Sequence, residues 1–186
     1  MKNITTCFLL MLLLPVLSFS QSKNEELIDW KTGQKLTWSD YKGSPDPGSD
    51  AAALTATYLG IEYDINENGL SWKIQCRFSK TRSWGRSKTD YILVHEQGHF
   101  DIAEVFARKL NKKMSEYKFD KNSYQKDLRK IYGDITKEKE EFQDQYDKES
   151  DHSRNKEQQE AWTKKIADLL NDLKGYSAYQ LITFSK

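Results

Sequence analysis

Ile92-Leu93-Val94-His95-Glu96-Gln97-Gly98-His99-Phe100-Asp101-Ile102-Ala103 sets Ile92, His95, His99 and Ala103 at three- and four-residue spacing, and Phe106 and Leu110 continue the pattern. That period predicts an amphipathic α-helix. Ser87-Lys88-Thr89-Asp90 in front of it has the form of a capping box with Asp in place of the usual Glu. Each residue turns a helix by about 100°, so His95 and His99 project from one face about one turn apart. At that separation both imidazoles reach one ion at the Zn–N distance of roughly 2.0–2.1 Å. Glu96 lies beside His95 on the rim of the same face. There it is expected to take a proton from a metal-bound water, whose pKa the metal lowers toward about 7, and to pass it to a leaving group. His-Glu-x-x-His on a helix with these roles is the pattern of a zinc-dependent hydrolase.

A catalytic zinc needs a third protein ligand. Asp101 is two residues past His99, a turn of about 200°, and Glu104 is nine past His95, a turn of about 900°; both face away. The Gly and His that would extend the motif in a metzincin are absent, since Ile102 and Val105 stand there. The chain has three histidines, and the remaining one is His152. A second helix is expected from about Ser123 to Tyr146. Packed antiparallel, it returns His152 from a loop toward His95. His152 is therefore the expected third ligand, with an exposed loop residue as its alternative role. Asp147 or Asp151 would orient an imidazole from behind, and Glu149 is the alternative ligand. Tyr146 is read either as a hydrogen-bond donor to an oxyanion or as a core aromatic at helical spacing.

Outward from the helix the period changes. Leu70, Trp72, Ile74, Cys76 and Phe78 alternate with polar residues, a half-buried strand. Ala51 to Asp64 is a second extended run, joined to the first through Asn66-Glu67-Asn68-Gly69, whose Asn-Gly pair favours a tight antiparallel turn. Trp30 and Trp38 flank Thr32-Gly33-Gln34, an expected hairpin. Gly43 to Gly48 is a dense turn cluster. After the second helix, Trp162, Ile166, Leu169 and Leu173 mark a third, which Gly175 is expected to end. Tyr176 to Phe184 is a candidate last strand. The expected fold is α+β: a small antiparallel sheet beside the active-site helix, then two further helices.

Lys2 precedes an apolar run from Cys7 to Phe19, and Ser18 and Ser20 supply small residues at the −3 and −1 positions ahead of Gln21. This is the layout of a cleaved signal peptide over residues 1–20, and the run is shorter than the roughly 18 residues of a spanning helix. Residues 21–186 are then one exported domain, in the periplasm or outside the cell, without stable membrane insertion. Lysine and arginine number 29 against 28 acidic residues. Lys2 is the only charge before Gln21, so the mature chain is balanced and has no basic excess to drive nucleic-acid binding. Cys76 remains as a lone cysteine, expected as a buried core residue.

His95 to Glu104, Leu36-Thr37-Trp38-Ser39-Asp40-Tyr41, Ser83-Trp84 and the run from Tyr146-Asp147 through His152 to Gln159 and Trp162 together resemble a bacterial family. It is filed as domain of unknown function 922 and described as secreted zinc-dependent proteases. The resemblance implies a zincin-like fold, zinc at His95 and His99, Glu96 as general base, and His152 by position. A peptide or protein substrate follows by analogy, adding as a strand to the run Leu70 to Ser79. An amidase acting on other amides would share the chemistry. A non-catalytic binding or scaffold protein with a structural or vestigial metal site is the alternative of a different class. A retained Glu96 favours catalysis over it.

Overall fold

A computed structural model describes residues 25–67, 69–179 and 182–183. The expected signal peptide, residues 1–20, lies outside them. The elements run β1 (Leu27–Asp29), β2 (Ala53–Leu54), β3 (Thr57–Asn66), β4 (Gly69–Ser79), β5 (Trp84–Gly85), α1 (Asp90–Glu116), α2 (Tyr124–Ser150), α3 (Lys156–Asp172) and β6 (Ile182–Thr183). The architecture is α+β, a small antiparallel sheet with three helices.

The β3–β4 hairpin follows the alternation in the sequence. Its register runs from Thr57 opposite Phe78 to Asn66 opposite Gly69, and Gly69 at φ 112° takes a backbone conformation that a side chain would resist. Leu70, Trp72, Ile74, Cys76 and Phe78 are buried on one face of β4, while Lys73 on the other face is exposed. The buried face lies against α1. Beyond β4, β1 pairs with its end at Arg77–Ser79 and β6 with its start at Ser71–Trp72. Between them Trp30 N–H donates to Cys76 O and Ile74 N–H to Tyr179 O. β4 is thus paired along both edges. The expectation that Leu70 to Ser79 presents an open edge to a substrate strand is overturned by this pairing.

α1 is the central element. Ile102, Ala103, Val105, Ala107 and Leu110 on it are fully buried. A helix apolar on several faces belongs inside a core, and the sheet, α2 and α3 each pack against it. Its N-cap is Thr89, whose Oγ1 accepts from Ile92 N–H at 3.2 Å. The helix therefore starts inside the expected Ser87–Asp90 box, two residues later than a cap at Ser87 requires.

Three further boundaries differ from expectation. The Thr32-Gly33 turn forms, closed by Gln34 N–H on Lys31 O, but no hairpin arm follows. Leu36 N–H is taken by Gln97 Oε1 on α1 instead, at 2.8 Å, and Trp38–Asp40 make a single 3-10 turn. The Ala51–Asp64 run splits. Ala56 N–H bonds to Ser83 Oγ and Ala56 O to Ser79 N–H, which leaves β2 to pair separately with β5. α2 continues to Ser150, four residues past Tyr146. Gly133 does not break it, and Asp151, in the left-handed conformation at φ 50°, ends it. α3 stops at Asp172, and Gly175 sits in a 3-10 turn just beyond. None of the described helices is long and apolar enough to cross a membrane.

Candidate metal centre

The α2 extension decides the site. Carried on as helix, Gln143 and Asp147 stand four residues apart, on a face that meets the first turns of α1. His95 Nε2 and His99 Nε2 lie 3.2 Å apart, and each lies 3.0 Å from Asp147 Oδ1. These residues form the cluster of candidate metal donors among the described residues. Their separations approach the edge of about 3.3 Å that a tetrahedral zinc with ligands at roughly 2.05 Å would span. The donor set, two imidazoles and one carboxylate, fits an open catalytic zinc site with three protein ligands.

His95 is buried and Asp147 half-buried. Burial works to raise the Asp147 carboxyl, but its bonds and charge interactions with His95 and His99 outweigh this and hold it well below the usual carboxylate range. Burial works against a charge on His99. The bond and charge of Asp147, with help from Glu96 and Gln143, outweigh it and raise the imidazole above its ordinary value. The two shifts are one mutual attraction, each partner favouring the charged form of the other.

Glu96 is buried beside the cluster, at 4 % exposure. Thr55 Oγ1 donates to Glu96 Oε2 at 2.7 Å. The Thr55 proton being so committed, Tyr41 donates its hydroxyl to Thr55 Oγ1 at 2.8 Å. Burial raises the Tyr41 phenol, with Glu96 adding to it, so this donor stays protonated. The carboxylate is held on one oxygen by the segment between β2 and β3. A cleft of about 530 Å³ opens over the cluster, walled by Asp50–Thr55 on one side and His152–Arg154 on the other.

Tyr146 is fully buried beneath the imidazoles. Its ring stacks on His95, centroids 4.5 Å apart, and its hydroxyl donates to His95 O at 3.1 Å. That hydroxyl faces the helix backbone, in keeping with the core-aromatic reading. Gly98 makes the approach possible, because a Cβ there would lie 2.9 Å from Tyr146 Cζ. His152 stands on the cleft rim, its side chain 66 % exposed and its Nδ1 3.9 Å from Asp147 Oδ1. The structure brings Asp147, not His152, into the third position. Glu149 is turned away, accepting from Trp162 Nε1 and Gln145 Nε2. Asp151 pairs with Arg154. Asp101 and Glu104 face other partners, Trp30 and Gln97 for the first, Arg108 and Tyr179 for the second. Cys76 is buried in the core.

Sequence reasoning passed over Gln143, Gln159 and Thr55. Gln159 Oε1 lies 2.8 Å from His95 Nδ1, and Gln143 Oε1 meets His99 Nδ1. Glutamines on charge-rich helices carry no signal of their own. The four-residue step from Gln143 to Asp147, alongside the apolar Phe142–Tyr146 row, is the pattern that could have marked this face.

The family described as "Bacterial protein of unknown function (DUF922)" matches residues 20–153. No curated protein and no solved structure matches the chain.

Proposed function

The chain belongs to the DUF922 family, and from that premise we propose that it is an exported zinc-dependent hydrolase of zincin type, a peptidase acting on amide carbonyls. One observation carries the reading: three convergent donors, His95 Nε2, His99 Nε2 and Asp147 Oδ1, stand 3.0–3.2 Å from one another beside the Glu96 carboxylate, at the floor of a cleft. A zinc ion bound there would supply a Lewis acid that lowers the pKa of water and polarises a carbonyl. His95, His99 and Asp147 would hold it.

Glu96 is the general base. Thr55 occupies one carboxylate oxygen, Oε2, and leaves the other to accept a proton and return it to the leaving nitrogen. Tyr41 and Thr55 keep that carboxylate aimed, so little reorientation is needed at reaction. Asp50–Thr55 and Arg154 wall the cleft in which an extended peptide would lie. On this reading the substrate would lie along β2 and not along β4.

The test is to purify the exported form, measure bound metal, and compare it with Glu96→Gln on a mixed peptide library. Stoichiometric zinc with cleavage by the wild type alone is the expected outcome. If the wild type holds stoichiometric zinc but cleaves no more than Glu96→Gln does, the peptidase reading sinks and a non-catalytic metal protein is favoured. A protein that takes up no zinc ends both.

A further inference from the structure

The imidazoles of this centre are backed by amides on two different helices, and the hydrogen bonds fix which way each amide points. Gln143 Nε2 donates to His99 O at 3.0 Å. That carbonyl can only accept, so the oxygen of Gln143 is the atom left facing His99 Nδ1. A second chain of bonds runs through Tyr146. Its hydroxyl proton goes to His95 O. Its oxygen therefore accepts from Gln159 Nε2, at 2.7 Å. The amide oxygen of Gln159 is then the atom 2.8 Å from His95 Nδ1. An amide oxygen accepts and cannot donate, so both Nδ1 atoms must carry the proton. In a neutral ring the lone pair then sits on Nε2, facing Asp147 Oδ1, while in a protonated ring both nitrogens donate, Nε2 to Asp147.

We propose that Gln143 and Gln159 are positioning residues that lock His99 and His95 in the Nδ1–H tautomer, and that α3, through Gln159, is part of the metal centre. The matched family residues end at 153, before α3 begins at Lys156, so the working site is larger than the matched segment. The inference rests on the reading of this cluster as a metal site. Groups that orient a ligating imidazole typically change metal affinity 10–100-fold when removed. Neutral amides also leave the imidazoles less basic than the carboxylate partners common behind metal-bound histidines.

Two measurements test it. Nitrogen-15 imidazole spectra of the metal-free wild type, at alkaline pH where both rings are neutral, are expected to show the Nδ1–H tautomer at His95 and His99. Nε2–H at either ring overturns the lock whether or not the protein binds metal. Calorimetric zinc titration then compares wild type with Gln159→Leu, Gln159→Glu and Gln143→Leu. The leucine variants are expected to lose about 10–100-fold in affinity, with mixed tautomers at the ring left unbacked. Gln159→Glu, which keeps an acceptor, is expected to restore the tautomer. Gln143 is only half-buried, so its variant tests the idea even if Gln159→Leu fails to fold. Folded leucine variants with wild-type tautomers and affinity overturn the proposal. A wild type that binds no zinc yet shows both Nδ1–H tautomers would sink the hydrolase reading and spare the lock.

Discussion

Two buried polar clusters hang from α1, and they are satisfied in opposite ways. At Glu104 the carboxylate receives Arg108 Nε at 2.8 Å and the Tyr179 hydroxyl at 2.5 Å. Arg108 also donates to Leu170 O and lies over the Trp30 ring. Each acceptor there meets a donor from the chain, which is how buried polar groups normally survive. At His95 and His99 the atoms that converge are two ring nitrogens and a carboxylate oxygen, while Gln143 and Gln159 meet the rings on their far sides. Where a carboxylate oxygen meets ring nitrogens that carry lone pairs, a proton or a metal ion must join them. The first cluster ties the sheet, α3 and the segment after it to α1, and the second is the one that could hold an ion. Burial alone therefore does not mark the functional group: Glu104 is more buried than His95, and what separates them is the balance of donors and acceptors.

The largest effect that tests this contrast is at Glu104. Glu104→Ala leaves Arg108 buried without its partner and should cost about 3–5 kcal/mol in chemical denaturation, with zinc unable to restore it. Recovery on adding zinc would break the contrast. Next is the metal itself. Zinc at about 100 times its Kd should stabilise the wild type by about 2.7 kcal/mol, a gain that a chelator reverses. Asp147→Ala should abolish that gain and also lower the stability of the metal-free protein at neutral pH, because the carboxylate's bonds to His95 and His99 hold its pKa down in the folded state; an undiminished gain would return the third position to His152.

Gly98→Ala should cost about 1–3 kcal/mol, as overpacking does. Its Cβ would press on the Tyr146 ring and so on the stacked His95, weakening zinc binding as well; a crystal structure of the variant would show whether the ring shifts. Asp151, His152 and Ser153 all have positive φ, a conformation that costs about 1–2 kcal/mol per ordinary residue. His152→Gly should therefore raise stability by about 1 kcal/mol and leave the zinc isotherm unchanged. Loss of zinc would make the rim histidine a ligand.

The smallest effect concerns Asp101, a third polar group on α1. Burial raises its carboxyl above the ordinary value, although Trp30 and Gln97 donate to it. A raised folded-state pKa in an acid means stability that is full below the unfolded value and lost as pH rises through the folded one. Asp101→Asn should remove that loss. It should raise stability at neutral pH and flatten the mildly acidic part of the stability profile.

Much of this was legible in the residues. The alternation of Leu70 to Phe78 and the spacing of His95 and His99 specified a hairpin and a helix, because a half-buried strand and a core helix leave period-two and period-3.6 traces. His95, Glu96 and His99 come together as their spacing implied. Asp147 was harder to see as a member of the cluster. With α2 read as ending at Tyr146, it fell in a loop and was assigned only to orient an imidazole. What extends the helix is a left-handed cap at Asp151, a backbone state that an Asp-His-Ser sequence barely advertises. The separate pairing of β2 with β5 rests on single long-range bonds, such as Ala56 to Ser83 Oγ, which no local pattern encodes.

His95 and its partner Gln159 are 64 residues apart, and the left-handed turn at Asp151–Ser153 is what brings them together. Contacts at such separation close late, after the cost of a long loop has been met. During synthesis or threading, the helix with both histidines emerges well before Asp147, and Gln159 comes later still. A chain caught at that point holds the histidine pair with neither Asp147 nor Gln159 beside it. On the proposed reading, the site is complete only once the last helix has docked.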